Sequence, residues 1–338
     1  MIYTNPIDAA PAFAATLAKA QRVLILTHIN PDGDAIGSLL GLSHALRAIG
    51  KQPLPIASSA IPSNTFGLPG IETVQIYSPG MQLPEADLVW LVDTATLERI
   101  GPIYTDHRAN LLDRPLVIVD HHVTNNGEGR LNLIDAGAAS CCDLLFRLLQ
   151  AMDLPINPDV ATCLLLGLTT DTQSFQVSST NPAALRAAAE LIEAGAAQRN
   201  VVNAIYFSMP ISTVRLTALA LIGLQQEDRL IWAKVTQAML REAEASDEAS
   251  DDTMSQMQRI SGMRIGALFK ERVDGTVKLS LRSVPGINVA QICAIWGGGG
   301  HAQAAGATLP MSLAQAEAEL IPLLRRTLDM TSKDEAFV

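Results

Sequence analysis

Residues 23–34 read VLILTHINPDGD, and this stretch decides the fold. The four aliphatics at its start follow a helical segment over residues 8–21. After the polar THINPDGD, a second helical stretch ends near Gly50. Short apolar runs recur at residues 54–57, 88–92 and 116–119, each followed by polar or turn residues. Runs of this length with helices between them predict strands buried on both faces of a parallel sheet, hence the α/β class. From about 140 to 225 the pattern is almost wholly helical, as in CDLLFRLLQAM and NPAALRAAAELIEAG, and Asn181-Pro182 and Met209-Pro210 mark helix starts.

The composition then changes. REAEASDEASDDT is acidic and poor in large apolar side chains, which predicts a solvated loop. Strand-like runs lie around it at residues 230–235, 265–269 and 277–281. A short helix over 288–296 leads into four glycines, a last helix covers 312–328, and the tail TSKDEAFV is expected to fray. Two domains follow: 1–195, built on the parallel sheet, and a smaller α+β domain over 226–338, joined by a helical linker over 196–225.

The chain has 338 residues, a net charge of −10 and a pI near 5.1. An extended duplex binder is normally basic, so long-range attraction to nucleic-acid phosphates is not its main device, although a local basic pocket for a small anion stays open. Cys141, Cys142, Cys163 and Cys293 form no C-x-x-C pair, which points to a reducing compartment and away from a zinc finger. No signal sequence is evident and no apolar run reaches the roughly 18 residues of a membrane span, so a cytoplasmic protein with no membrane partner is expected.

Three strand-like runs end in acids or histidines. After VLIL come His28, Asp32 and Asp34; after LVWLV comes Asp93; after LVIV come Asp120, His121 and His122. Ligands of open α/β sheets bind at the carboxyl ends of strands. Alone, each cluster also reads as a cap or turn, and Asp34 could cap a helix starting at Ala35. Gathered at one sheet edge, the carboxylates would repel one another, and divalent cations are the simplest remedy. Carboxylate mixed with imidazole suits manganese, magnesium or iron. Asp171, deep in the apolar segment LLLGLTTDTQSF, needs a partner, either the same cations or a local hydrogen bond to Thr170 or Thr172.

HINPDGDAIGS, LVDTA, VDHHVTN and LTTDTQSF stand in the order and spacing of the four motifs of the DHH phosphoesterase superfamily, which the chain resembles. IWGGGGHAQAAGA, with KLSLRS upstream, looks like the glycine-histidine motif of the DHH-associated domain. The two-domain layout is similar to nanoRNase/pAp phosphatases. The resemblance implies a DHH catalytic domain and a DHH-associated substrate-binding domain with the active site in the cleft between them. It implies a phosphodiesterase that cuts short oligonucleotides or linear dinucleotides to 5′-mononucleotides, with pAp phosphatase activity alongside. Cyclic-dinucleotide hydrolysis, or a nucleotide-binding regulator without turnover, are the alternatives, and a homodimer is left open.

Carried over by motif, the resemblance implies a two-metal centre, with manganese the first choice. His28 and Asp32 would hold one ion and Asp93 would bridge to the second. Asp34, His121 and Asp171 would complete that second ion. Asp120 would orient an imidazole, and His122 would face the scissile phosphate. Arg282, His301 and the main chain of Gly298, Gly299 and Gly300 would bind substrate phosphate or base, since glycines let N–H groups approach an anion closely. One departure stands out. Where the family carries a small hydroxylated residue and a Glu near the start of a helix, this chain has Ser140-Cys141-Cys142-Asp143, with Cys141 read as a buried structural thiol.

Overall fold

The aliphatic run at residues 23–26 becomes the middle of a seven-stranded sheet in the computed structural model, which describes residues 1–335. The chain divides into two compact units, Met1–Ser208 and Met209–Val338. The first unit contains β1 (Ile2–Tyr3), α1 (Pro6–Ala18), β2 (Arg22–Leu26), α2 (Gly33–Ala48), β3 (Gln52–Ala57), β4 (Gln75–Ile76) and β5 (Leu88–Val92). It continues with α3 (Pro102–Leu112), β6 (Leu116–Asp120), β7 (Leu131–Ile134), α4 (Cys141–Ala151), α5 (Pro158–Asp171), α6 (Pro182–Glu193) and α7 (Gln198–Tyr206).

All seven strands run parallel in the order β1-β7-β6-β5-β2-β3-β4. The chain leaves β2 towards β3 and β4 on one side. It then returns to β5 on the other and continues to β6 and β7. The carboxyl ends of β2 and β5 therefore flank the point where strand order reverses, the ligand position of such sheets. Both faces are covered, which is why the strands read as continuous aliphatic runs. Val23, Ile25, Trp90, Val92 and Val119 pack with residues of α1, α2, α4 and α5, whereas Leu24, Leu26, Leu91 and Ile118 pack with Leu97, Ile100, Ile103 and Leu111.

The start of α2 sets the position of its acids. The helix begins at Gly33 and its cap is Asp32, whose Oδ1 accepts from the N–H groups of Asp34 and Ala35 at 3.0 Å each. The cap expected at Asp34 is thus made two residues earlier, by Asp32, which leaves Asp34 to point into the protein. Gly33, Gly37 and Gly41 repeat every four residues along one helix face. A Cβ at Gly33 would lie 2.5 Å from Thr170 Oγ1, and one at Gly37 would lie 2.6 Å from the Cys163 carbonyl. Without those side chains α5 packs directly on α2, so the end of α5 that carries Asp171 meets the end of α2 that carries Asp34.

The second unit contains α8 (Ile211–Ile222), β8 (Gln225–Glu227), β9 (Leu230–Val235), α9 (Gln237–Ala243), α10 (Ser250–Met257), β10 (Ile265–Glu271) and β11 (Val277–Ser283). After these come α11 (Val289–Ala294), β12 (Gly299–His301), β13 (Ala304–Leu309) and α12 (Leu313–Glu335). Six strands form a mixed sheet in the order β12-β13-β11-β10-β9-β8, with only β9 and β10 parallel. One face packs with residues of α11 and α12, the other with residues of α8, α9 and α10.

Two expectations change. The acidic segment is not wholly a loop, because Met254 and Met257 are buried and anchor α10 to the sheet. The tail expected to fray continues α12 to Glu335, and residues 336–338 lie outside the described residues. No single helix among the described residues is long and apolar enough to cross a membrane.

Candidate metal centre

His28, Asp93, Asp120, His121 and His122 stand where β2, β5 or β6 ends, and Asp32 and Asp34 stand at the start of the helix that follows β2. His28, 8% exposed, follows β2, and its Nδ1 lies 2.9 Å from the Ile29 carbonyl. A carbonyl only accepts, so Nδ1 donates there and Nε2 keeps its lone pair. That Nε2 is 3.5 Å from Asp93 Oδ2. Asp93 follows β5 in a left-handed backbone conformation, φ +53°, and is 2% exposed. Strained conformers of this kind persist where the surroundings fix them, and here the Asp93 N–H donates to the Val119 carbonyl.

The other oxygen of Asp93 faces the opposite way. Oδ1 lies 3.6 Å from His121 Nε2 and 3.7 Å from His122 Nδ1. His121 Nε2 is also 3.6 Å from Asp171 Oδ2 and 3.9 Å from Asp34 Oδ2. Three sets of donors therefore come within 4.8 Å of one another: His28, Asp32 and Asp93; Asp34, His121 and Asp171; and Asp93, His121 and His122. Asp93 belongs to two of them. Its Oδ1 is buried and accepts no hydrogen bond, a vacancy in polar pairing that a cation on that side would fill.

Asp171 ends α5 without a local partner. Thr170 and Thr172 donate their hydroxyls to the Gly167 and Leu168 carbonyls instead. Gln173, Ser174 and Phe175 then follow in left-handed conformations, φ +48°, +61° and +67°. Thr172 closes this turn by accepting from the Phe175 N–H at 3.1 Å, and Tyr206 donates to the Ser174 hydroxyl.

Asp120 is fully buried at the end of β6. It accepts from His122 Nδ1 at 2.8 Å and from Asn125 Nδ2 at 2.7 Å. The expected orienting role of Asp120 is thus directed at His122 and not at His121. Asn125 was not singled out in the sequence, although it ends the VDHHVTN motif. The same amide nitrogen donates to the Thr94 carbonyl, tying the loop after β6 to the loop after β5.

Electrostatics separate these acids into two kinds. Burial, followed by repulsion from Asp34 and Asp32, raises Asp93 well above the ordinary carboxylate range. Burial, then Asp34 and Asp93, pushes Asp171 up to about 9. Burial also raises Asp34, against the attraction of His121. Asp120 goes the other way: burial pushes it up, but the hydrogen bond and charge of His122 outweigh that and hold it low. His122 answers in kind, since burial lowers it and Asp120 more than restores it. For the three crowded acids, burial and mutual repulsion outweigh the nearby imidazoles, whereas Asp120 and His122 compensate each other.

In the second unit Arg282 and His301 come together on one row. Arg282 in β11 is opposite Ala304 in β13, which is opposite His301 in β12. Residues directly opposite in antiparallel strands share a face. The next row, Ser280, Gly306 and Gly299, carries almost no side chain. The glycines also serve packing: a Cβ at Gly298 would lie 2.3 Å from the Gly306 carbonyl, and Gly300 takes φ +141° with β13 against it. Arg282 donates to the Leu281 carbonyl at 3.0 Å.

A model of the N-terminal domain of the DHH family matches residues 22–168, and a DHHA1 domain model matches residues 229–330. A protein of Thermus thermophilus named bifunctional oligoribonuclease and PAP phosphatase NrnA is 31% identical over 309 residues, spanning 90% of both chains. The chain belongs to the DHH family. The Bacillus subtilis protein of the same name is 24% identical over 87% of this chain and 91% of its own. A cyclic-di-AMP phosphodiesterase, GdpP, of Geobacillus thermodenitrificans is 23% identical over 91% of this chain but only 48% of its own. The crystal structure of an exopolyphosphatase-related protein from Bacteroides fragilis shares the fold, with a TM-score of 0.87 at 24% identity over 96% of each chain. Within this DHH-family chain, the first match holds every candidate ligand except Asp171, and the second holds Arg282, the glycines and His301.

Proposed function

We propose that the protein is a two-metal phosphodiesterase of the DHH family that releases 5′-mononucleotides from very short oligonucleotides and also dephosphorylates pAp. One observation carries this reading: the two oxygens of Asp93 face different donor sets, His28 on one side and His121 on the other. Relatives named for both activities span nearly the whole chain and support the substrate class. His28, Asp32 and Asp93 would hold one ion; Asp93, Asp34, His121 and Asp171 would hold the other. When bound, a pair of divalent ions activates water and stabilises the charge that builds on phosphate oxygens during in-line displacement. Manganese is the proposed metal, because hard oxygen and imidazole donors suit it. The nearby thiols do not compete, since burial pushes both Cys141 and Cys142 far above the range in which they ionise.

The remaining work falls to the chain's own side chains. His28 and Asp32 are pre-set by the Ile29 carbonyl and by the cap of α2, so neither has to reorient to ligate. His122, kept protonated by Asp120, supplies a fixed positive charge beside the cluster for a phosphate oxygen or a leaving group. Arg282 and His301 are the proposed phosphate and nucleotide contacts of the second unit. Four buried free cysteines suit the reducing cytoplasm in which such substrates arise.

A panel of 5′-phosphorylated oligonucleotides, from dinucleotides to chains of about twenty residues, tests the reading, with pAp and cyclic dinucleotides alongside. The expected order is short chains and pAp well ahead of the long strand. Faster cleavage of the long strand contradicts the proposed substrate class, and metal-loaded protein that turns over none of them contradicts an enzyme altogether.

A further inference from the structure

Asp34 is held differently from the other candidate ligands. It is 1% exposed, and both of its oxygens already accept main-chain hydrogen bonds. The Cys141 N–H donates to Oδ2 at 2.6 Å and the Cys142 N–H to Oδ1 at 2.9 Å. These residues open α4. The first N–H groups of a helix have no carbonyl partner within it and must find one elsewhere. Here two are given to Asp34, and the third, from Asp143, goes to the cap Ser140 at 3.0 Å.

The surroundings hold this arrangement from three sides. Gly167 of α5 leaves the space, since a Cβ there would lie 2.2 Å from Cys142 Sγ and 2.8 Å from Asp34 Oδ1. Asp143, fully buried, takes a 2.9 Å ion pair from Arg147 one turn along α4. The Cys141 thiol is engaged elsewhere, donating to the Val119 carbonyl, whereas Cys142 Sγ lies 3.2 Å from the Ser38 hydroxyl and also donates to the Asp34 main-chain carbonyl at 3.5 Å. The positive end of α4 also offsets negative charge that Asp32, Asp93 and Asp171 would otherwise make costly. With both oxygens committed to α4, the carboxylate cannot swing to chelate through two oxygens. Oδ2 is the one turned towards His121 Nε2.

We propose that the main-chain N–H groups of Cys141 and Cys142 position Asp34, fixing one oxygen for the cation that it shares with His121 and Asp171. Cys141 contributes its backbone and not its thiol, which is turned to the Val119 carbonyl. The inference rests on the reading of Asp34 as a metal ligand and adds a positioning group 107 residues away in the chain.

Two substitutions at one position separate backbone from thiol. Cys141→Pro deletes a donor yet suits the first residue of a helix, and Ser140 before it is already extended at φ −164°, ψ 166°. Cys141→Ala keeps the donor and deletes the thiol. Metal-free protein is titrated with manganese, and the free ion is followed by electron paramagnetic resonance. Wild type and Cys141→Ala should take up two ions alike. Cys141→Pro should keep one at wild-type affinity and bind the other about 10–100-fold more weakly, the usual cost of losing a group that orients a ligand. Unchanged uptake by Cys141→Pro, or equal losses in both variants, overturns the proposal.

Should Cys141→Pro fail to fold, amide hydrogen exchange on metal-free Asp34→Ala decides. The Cys141 and Cys142 amides should lose protection relative to wild type while Asp143 keeps its own, and no change at 141 and 142 overturns the proposal. A wild-type chain that takes up no manganese overturns the metal reading itself. Normal wild-type uptake with a normal Cys141→Pro overturns only the positioning role.

Discussion

Buried Asp120 and partly exposed His122 form a charge pair, with the imidazole Nδ1 donating to the carboxylate at 2.8 Å. Neither belongs to the donor sets on the His28 side, and Asp120 faces His122 rather than a cation position. Replacing Asp120 by Asn keeps an acceptor but removes the charge that holds the proton on His122. Asp120→Asn should therefore bind as much manganese as wild type while single-turnover hydrolysis slows about 10²-fold, the scale of a lost proton-transfer or charge contact. Metal analysis and rapid-quench rates check it. Lost metal would make Asp120 a ligand.

Crowded acids make the metal-free protein sensitive to pH in a direction opposite to the common one. Asp171 binds its proton up to about pH 9 in the folded chain, and Asp93 and Asp34 are raised with it. In the unfolded chain these carboxyls titrate near the ordinary value of about 4. Between those limits the native state holds more protons, so stability falls as pH rises. His122, also raised, contributes with the same sign, and the lowered Asp120 acts only in the acid range below it. In chelator, Tm should drop from pH 5 to pH 8.5, and saturating manganese should flatten that slope. A metal-free Tm that climbs over this range would contradict the reading.

The sheet and most candidate ligands were legible because their signals are local. A run such as residues 88–92 is buried on both faces and ends at Asp93, so strand and site share one short stretch. Other features are not local. The Asp34 clamp joins residues 107 positions apart, and the two-residue strands β1 and β4 are held by neighbours instead of by their own sequence. At the start of α2 two aspartates could each have capped, and only the packing of α5 against the glycine face decides that Asp34 turns inward. Composition misled at the acidic segment, where two methionines three residues apart anchor a helix that the surrounding charges conceal.

Recognition and chemistry should separate at Arg282. It lies in the second unit on the row that ends at His301 and belongs to none of the donor sets that could hold a cation. Arg282→Ala should keep its metal and lose about 10²-fold in kcat/KM on dinucleotides, about 3 kcal/mol, the scale of one charge-assisted contact. Hydrolysis of bis-p-nitrophenyl phosphate, which has no nucleoside to recognise, should be nearly unchanged. Equal damage to both substrates would place Arg282 in the fold or the reacting centre.

The central claim is that Asp93 joins two cation positions, with Oδ2 3.5 Å from His28 Nε2 and Oδ1 3.6 Å from His121 Nε2. The most direct measurement is manganese stoichiometry together with dinucleotide hydrolysis for Asp93→Ala. The account predicts that both ions are weakened at once and that turnover falls by about three orders of magnitude or more, because the two-metal clamp is dismantled. Two tightly bound ions with most of the activity retained would contradict it.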